Sequence, residues 1–175
     1  MTDKELIRKV HSGDRKAFSL IAERYYDEIY RFCRYYIGHE EDAYDITQEV
    51  FLRFIKYADS YRHRNLKGYL LMIARNLCRD YFFHKTEILQ LEAVPDHGEY
   101  DKAIEELADQ LHLQKILMEL PDQQKEVIVL KTIGELKFRE IAQITGCNLS
   151  TVKSRYRIGI AAVKKRMEDE DEKKG

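Results

Sequence analysis

The chain has 175 residues, of which 44% are hydrophobic and 35% charged, with eight glycines and two prolines. Such a composition favours helices over strands, and the first fifteen residues contain no apolar run that could act as a secretory signal or membrane span. We therefore expect an all-α protein that is cytoplasmic and not inserted into a membrane. Cys33, Cys78 and Cys147 are odd in number and far apart, which favours reduced thiols over a disulfide framework or a zinc site.

Charge is distributed unevenly along the chain, although the formal net charge is only −1. Residues 1–83 carry a net charge of +2, residues 84–112 carry −6, residues 113–166 carry +6 and residues 167–175 carry −3. Two basic modules with an acidic spacer and an acidic tail indicate either surfaces that bind a polyanion or simply solvated faces. Charge alone leaves both interpretations open.

Three amphipathic helices are predicted in the first half of the chain. Apolar residues three or four positions apart run over 18–36, and Gly38 ends this helix. A second helix begins near Glu40, with acids in its first turn, and ends between residues 57 and 60. The polar and basic segment 60–65 is predicted to be a loop, and a third helix follows over 70–81.

The second half of the chain is predicted to be a separate helical domain. Periodicity fades between residues 87 and 109, and the turn-forming segment 94–98 is the clearest break. Apolar positions return over 113–120, and Pro121 suits the first turn of a further helix. The predicted organisation is a first domain over 1–86, a linker over 87–109, a second domain over 110–167 and an acidic tail over 168–175.

Residues 138–155 have the pattern of a helix-turn-helix. Gly146 tolerates the tight turn between two short helical segments, and Asn148 stands where an N-cap is needed. From Lys153 to Arg166 there are six basic residues and no acid. This excess of positive charge suits a helix that enters a major groove between two rows of phosphates. DNA binding is favoured over a helical hairpin without a DNA role because motif, cap and charge coincide.

Three stretches in a fixed order carry a family resemblance: DAYDITQEVF at 42–51, LKGYLLMIARNLCRD at 66–80, and LPDQQKEVI at 120–128, followed by the helix-turn-helix. Together they resemble the extracytoplasmic-function (ECF) class of bacterial sigma factors, which consist of two helical domains called regions two and four. The resemblance implies a protein that binds core RNA polymerase, directs it to promoter DNA and helps melt it, in a stress or envelope response. It also implies an anti-sigma factor as a partner, and no cofactor.

The first stretch contains the candidate polymerase-binding residues. Asp42, Asp45 and Glu49 recur at helical spacing, so their carboxylates share one face with Gln48 and Leu52. The resemblance implies that this face binds a coiled coil of the largest polymerase subunit, where charge complementarity would speed association. Exposed helical acids lack the pocket and the perturbed pKa values that acid–base catalysis needs. We therefore expect no catalytic residue and no enzyme activity.

Basic and aromatic residues alternate around the second stretch, a mixture that binds single-stranded DNA by phosphate pairing and base stacking. The resemblance implies that this segment melts and recognises the start-proximal promoter element, with Asn76 lining the pocket for a flipped-out base. The candidate residues are Tyr61, Arg62, Arg64, Lys67, Arg75, Asn76 and Arg79. Tyr61 is placed in the loop, whereas Tyr81 and one of Phe82 and Phe83 are expected to pack in the core.

By the same resemblance, the second helix of the helix-turn-helix recognises the distal promoter element. Its candidate residues are Ser150, Thr151, Lys153, Ser154, Arg155 and Arg157, of which Lys153 and Arg155 are the leading base or phosphate contacts.

The chain departs from the family pattern in two places. Tyr69 stands where tryptophan is common, and Ile158, Gly159 and Ile160 replace a basic run. We expect weaker phosphate contact there and a helix loosened by about 1 kcal/mol at Gly159. A further hypothesis is that the acidic tail folds back on the recognition helix.

Two alternative functions come from other classes. A free-standing regulator that binds palindromic duplex DNA as a dimer explains the second domain but leaves the first without a purpose. A metal-dependent enzyme is disfavoured because the six histidines are scattered without ligand-like spacing, so no metal site is predicted.

Overall fold

The computed structural model describes residues 1–62, 65–89 and 104–175, and in these ranges every regular element is helical. The elements are α1 (Asp3–His11), α2 (Arg15–Ile37), α3 (Glu40–Tyr57), a 3-10 turn (Ala58–Ser60), α4 (Leu66–Leu89), α5 (Ile104–Glu119), α6 (Asp122–Thr132), α7 (Phe138–Thr145) and α8 (Leu149–Lys174). The all-α prediction is confirmed. The predicted linker overlaps the end of α4 and the start of α5, and its centre lies outside the described residues.

Helix α1 is the element that the sequence analysis did not predict. Thr2 and Glu5 form a capping box, in which Glu5 N–H donates to Thr2 Oγ1 at 3.3 Å and Thr2 N–H donates to Glu5 Oε2 at 2.7 Å. Leu6 and Val10, one turn apart, are buried in the core of the first module, next to α2. The capping box and this apolar pair were the signal in the sequence, since together they fix both the start and the buried face of a short helix.

The first module comprises α1 to α4. Helix α2 buries Ile21, Ile29 and Phe32 along one stripe and ends at Gly38, whose φ of 79° lets its N–H donate to the carbonyl of Arg34 at 2.9 Å. Glycine adopts this left-handed conformation without a steric penalty, so the predicted stop at this position is confirmed. Helices α3 and α4 pack against α2 and complete the module.

The second module comprises α5 to α8, and α8 packs most extensively on α6. A Cβ atom at Gly159 would lie 2.7 Å from Ile128 Cδ1 and 3.3 Å from Gln124 Cβ. The glycine therefore lets α8 approach α6 closely, and α8 continues beyond it for four turns to Lys174. The sequence predicts only a weak point of the helix at Gly159; its packing role depends on the contact with α6.

The acidic tail forms the last turns of α8. Glu170 Oε2 lies 2.5 Å from His112 Nε2, and Arg166 Nη1 donates to Glu119 Oε2 at 3.2 Å, so this end of α8 lies beside α5. Residues 151 and 168 on one straight helix are about 25 Å apart at 1.5 Å per residue. The hypothesis that the tail folds back on the recognition helix is therefore wrong.

The two modules pack against each other through one continuous apolar core. Helix α2 contacts α5 and α6, and α4 contacts α7. Gln114 Nε2 donates to the carbonyl of Arg34 at 2.7 Å, and a Cβ atom at Gly134 would lie 3.1 Å from Leu71 Cδ1. This packing brings the first half of α4, which carries predicted DNA-binding residues, beside α6 and α7.

Candidate polymerase and nucleic-acid interfaces

The outward face of α3 carries four of the five predicted polymerase-binding residues. The inward face buries Val50, Phe51 and Phe54, so residues about half a turn away point to solvent. The four are Asp45, Gln48, Glu49 and Leu52. Leu52 is 59% exposed, and the half-exposed Glu49 accepts a hydrogen bond from Arg53 Nε at 3.2 Å. The structure thus combines acidic and apolar groups on one accessible surface.

Asp42, the fifth predicted residue, has a different environment. Its carboxylate accepts a hydrogen bond from the Tyr81 hydroxyl of α4 and lies 3.2 Å from His39 Nδ1. Burial, together with this hydrogen bond, raises the pKa of Tyr81. Asp42 therefore ties α3 to α4. As predicted, Tyr81 and one neighbouring aromatic, Phe82, pack against the core, whereas Phe83 is exposed.

Two exposed apolar side chains on this face, Tyr44 and Ile55, are not among the predicted residues; Tyr57, the last residue of α3, is exposed as well. Tyr44, Leu52 and Ile55 lie on one stripe of α3 at spacings of eight and three residues. Large apolar side chains gathered on one face of a helix mark an interaction surface, because burying them in a complex is favourable. Their spacing from Leu52 was the available signal.

Tyr61 lies in the predicted loop between the 3-10 turn and α4, but its side chain is buried in the core. Its side chain is 4% exposed, and its ring packs 6.2 Å from that of Phe54 and 4.9 Å from that of Tyr69. Burial raises the pKa of Tyr61 to about 12. The expectation that Tyr61, unlike Tyr81, stays out of the core is therefore wrong. Tyr61 follows the 3-10 turn directly, and its ring is drawn into the aromatic core. Tyr69, at the position where relatives often have tryptophan, belongs to the same cluster.

The other start-proximal candidates divide into engaged and accessible residues. Arg75 is only 8% exposed and pairs with Glu126 of α6, while Lys67 Nζ lies 3.1 Å from Glu28 Oε2 and 3.6 Å from Glu135 Oε2. Asn76 and Arg79 are exposed. Arg62 is exposed too, and its guanidinium donates to the carbonyls of Asp59 and Tyr61, both at 2.8 Å. Arg64 lies outside the described residues.

A buried lysine lies next to the Arg75–Glu126 pair. Lys125 is 2% exposed, with its ammonium 4.7 Å from the ring centroid of Tyr36 and 4.1 Å from that of Phe82. Burial lowers the pKa of Lys125, although the neighbouring Asp122 partly opposes this effect. The contact between the modules therefore contains desolvated charges as well as apolar side chains.

The helix-turn-helix has the geometry that its sequence predicts. Gly146 adopts a φ of 70° between α7 and α8, and Asn148 caps α8 by accepting from Thr151 N–H at 2.8 Å. Ile141 of α7 and Val152 of α8 are buried in the core. The local signals for turn and cap thus specify where the recognition helix begins.

The start of α8 presents the six predicted distal-element residues along its first three turns. Ser150, Lys153 and Arg157 are exposed, whereas Thr151, Ser154 and Arg155 are half-buried. Within the described ranges, neither Lys153 nor Arg157 has a carboxylate within 4 Å. Arg155 Nη1 lies 3.0 Å from Cys147 Sγ and so reaches back toward the turn. The basic groups nearest the tip of this helix are accessible to phosphates.

The described part of the chain holds no group of three His, Cys, Asp or Glu side chains arranged to bind a metal. None of its helices is long and apolar enough to cross a membrane. Cys33 and Cys78 are buried in the core, where burial raises the pKa of the Cys78 thiol, and Cys147 is half-buried in the helix-turn-helix.

Comparison with known proteins decides the family. Residues 21–87 match the family model of sigma-70 region 2, and residues 99–163 match that of sigma-70, region 4. The chain is 33% identical to the ECF RNA polymerase sigma factor SigW of Bacillus subtilis (strain 168), over 97% of this chain and 98% of the relative. The chain belongs to the ECF family of RNA polymerase sigma factors. The ECF RNA polymerase sigma-E factor of Escherichia coli (strain K12) is 27% identical over 89% and 88% of the two chains.

Two solved structures share the fold of this sigma factor. CnrH in complex with the cytosolic domain of CnrY aligns with a TM-score of 0.76 at 22% identity, covering 95% of this chain and 97% of CnrH. RpoE in complex with the anti-sigma factor NepR from Bartonella quintana aligns with a TM-score of 0.73 at 22% identity, covering 87% and 98%. At this identity the likeness concerns the fold alone.

As a sigma factor, the protein directs RNA polymerase in transcription initiation. The match to region two corresponds to α2 through α4, and the match to region four ends within α8. A free-standing helix-turn-helix regulator is not favoured, because it leaves the region two match unexplained. Sigma factors are not known as a family of enzymes.

Proposed function

We propose that this sigma factor binds core RNA polymerase through the outward face of α3, and recognises its promoters with two separate surfaces. Region two, through α4 and the loop before it, melts and recognises the start-proximal element. Region four recognises the distal element with the start of α8. The protein acts in the cytoplasm, where its polymerase works, and contributes no catalytic residue.

The observation that carries this proposal is the outward face of α3. Acids at 45 and 49 lie along one side of an apolar stripe that includes Leu52 and Ile55, and both of these apolar side chains are about half exposed. A partner with basic side chains around an apolar centre would gain affinity from burial of the stripe, while the acids would steer its approach.

Run-off transcription with purified core polymerase and a pool of random promoter fragments tests the function. We expect discrete transcripts that share two spaced motifs only when the sigma factor is present. Leu52→Arg should abolish both these transcripts and co-elution with core polymerase, because it places a charge in the apolar stripe. Glu23→Lys, an exposed change on α2, is the control and should leave both intact. Tight binding of the sigma factor alone to palindromic duplex DNA, without transcripts, would contradict the proposal.

The region four assignment has its own test. Lys153→Ala with Arg157→Ala removes two exposed cations from the start of α8, so promoter-dependent transcription should fall while polymerase binding is retained. Each lost phosphate contact should flatten the salt dependence of promoter affinity by about 0.9 in log–log slope. Lys164→Ala with Lys165→Ala, two exposed cations farther along α8, is the matched control. Equal losses in both double variants would refute a specific role for the tip of the helix.

We also propose that an anti-sigma factor holds this protein inactive until a stress or envelope signal arrives. The similarly folded RpoE was solved with the anti-sigma factor NepR bound. Affinity purification of the tagged sigma factor before and after envelope stress should recover a stoichiometric partner only before stress. Equal recovery in both states, while the sigma-dependent transcripts rise, would contradict this mode of control.

A further inference from the structure

A pocket of about 290 Å³ lies where α2 of the first module meets three helices of the second. Arg31 and Tyr35, one turn apart on α2, line one side of it. The other walls come from α5, α6 and α8 and include four aliphatic side chains: Leu117, Ile128, Ile160 and Val163. The pocket shares no residue with the outward face of α3 or with the predicted distal-element residues of α8, so neither proposed interface accounts for it.

The wall on α8 depends on a departure from the family pattern. Ile160 belongs to the segment of Ile158, Gly159 and Ile160 that replaces a basic run. Gly159 lets α8 approach α6, since a Cβ atom there would lie 2.7 Å from Ile128 Cδ1. Ile128 and Ile160 then line the pocket together. The segment therefore supplies an apolar wall in place of charged side chains.

Arg31 places a positive charge beside these apolar walls. Among the described residues that line the pocket, it carries the only charge. Arg31 is exposed, and no carboxylate of the described residues lies within 4 Å of its guanidinium, whereas Arg24 on the same helix pairs with Asp3 at 2.7 Å. The ligand that complements the pocket is therefore apolar over most of its length and anionic at one end.

We propose that this pocket binds a medium-chain carboxylic acid, with the carboxylate on Arg31 and the hydrocarbon chain between α5, α6 and α8. A cavity of about 150 Å³ holds a benzene ring, so the pocket has room for a chain of about ten carbons. The guanidinium supplies charge-assisted hydrogen bonds to the carboxylate, and burial of the chain supplies the apolar contribution. Because both modules line the pocket, the bound acid stabilises their packed arrangement by mass action.

Isothermal titration calorimetry of the full-length protein tests both ends of the ligand, at concentrations below those at which the acids form micelles. Octanoate and octanol, which share a hydrocarbon chain, compare the charged and the uncharged head group. We expect one site per chain and octanoate affinity about three- to tenfold above that of octanol. Affinity should also rise about fourfold for each methylene from hexanoate to decanoate, the gain expected when a methylene leaves water.

Variants at the rim of the pocket separate a specific site from general attraction. Arg31→Gln should lower octanoate affinity about three- to tenfold and leave octanol affinity unchanged, whereas Arg31→Lys should retain most of the octanoate affinity. Unchanged octanol binding also shows that the Arg31→Gln protein is folded. Arg15→Gln is the matched control, because it makes the same change in net charge at an exposed position about 24 Å away along α2.

Three outcomes would overturn the proposal. Equal losses of octanoate affinity in Arg31→Gln and Arg15→Gln would show general charge attraction. Several weak sites per chain, or equal wild-type affinities for octanoate and octanol, would show unspecific binding to apolar surface. Light scattering tests a different occupant: a wild-type dimer that Arg31→Gln dissociates would assign the pocket to a second copy of the chain.

Discussion

The two predicted DNA surfaces of this sigma factor have similar charge but opposite availability. At the start of α8, Lys153 and Arg157 are exposed and have no carboxylate within 4 Å in the described ranges. In the first half of α4, Lys67 and Arg75 are paired with acids of the other module, and Arg75 is buried. A count of basic residues therefore locates a DNA surface but does not show whether the surface is accessible.

The largest effect is expected from breaking the buried pair. Glu126→Gln leaves the Arg75 guanidinium buried without an anion, and such changes cost about 3–5 kcal/mol in the free energy of unfolding. Replacing both partners, Arg75→Met with Glu126→Leu, should recover most of this loss because no unpaired charge remains. Urea denaturation measures both. Exposed ion pairs contribute up to about 1 kcal/mol, so an equally small effect of Glu126→Gln would show that the centre of the contact is solvated.

A smaller effect is expected where α8 is seated on α6. Gly159→Val places methyl groups in the space filled by Ile128 and Gln124, and overpacking of this kind costs about 1–3 kcal/mol. Thermal unfolding should show the loss. Ala161→Val, at an exposed position of the same helix, is the matched control and should change stability much less. Equal effects in the two variants would mean that the close approach of α8 to α6 contributes little.

Asn148, the N-cap of α8, offers a way to separate the effect of a mutation on folding from its effect on DNA binding. Asn148→Ala removes the acceptor for Thr151 N–H and should cost about 1 kcal/mol in stability. Asn148→Asp keeps the cap but adds a negative charge beside the recognition helix, so stability should be retained while promoter affinity falls. Promoter binding of the holoenzyme and thermal unfolding are measured together. A stable aspartate variant with unchanged promoter affinity would place Asn148 away from the DNA.

The smallest effect is a pH dependence from Lys125. Burial lowers the pKa of Lys125 in the folded protein below the ordinary value of 10.5, which applies to the unfolded chain. At pH values between the folded and the unfolded pKa, the unfolded chain therefore binds more protons at this lysine than the folded protein does. The contribution of Lys125 to the free energy of unfolding therefore rises as the pH increases from the folded pKa to the unfolded pKa. The free energy of unfolding of Lys125→Met relative to wild type should shift in favour of wild type as pH rises from 7 toward 10. Tyrosines with raised pKa are common to both proteins and cancel. A constant difference over this range would contradict the lowered pKa.

Most of the candidate site could be placed on its helices from sequence, but its accessibility could not. The outward face of α3 follows from helical periodicity, and four of its five predicted residues lie where expected. Asp42 has the right spacing but accepts a hydrogen bond from Tyr81, thirty-nine residues away. The polar neighbours of Tyr61 correctly predict a loop, but they do not show that Phe54 and Tyr69 draw its ring into the core. Hydrophobic periodicity shows which face of a helix is buried. It carries no information about which other helix packs against that face.

Local residues are enough to specify the elements whose signals act within about four positions: the stop at Gly38, the turn at Gly146 and the cap at Asn148. Each of these depends on the backbone conformation of one residue or on a hydrogen bond to a near neighbour, so the local residues are sufficient. The pairing of Glu126 with Arg75 across 51 positions, and of Glu140 with Asn65 across 75, depends instead on how the helices pack in three dimensions. Such pairs form because apolar packing brings distant helices together, and the charges then select among the contacts that packing has made available.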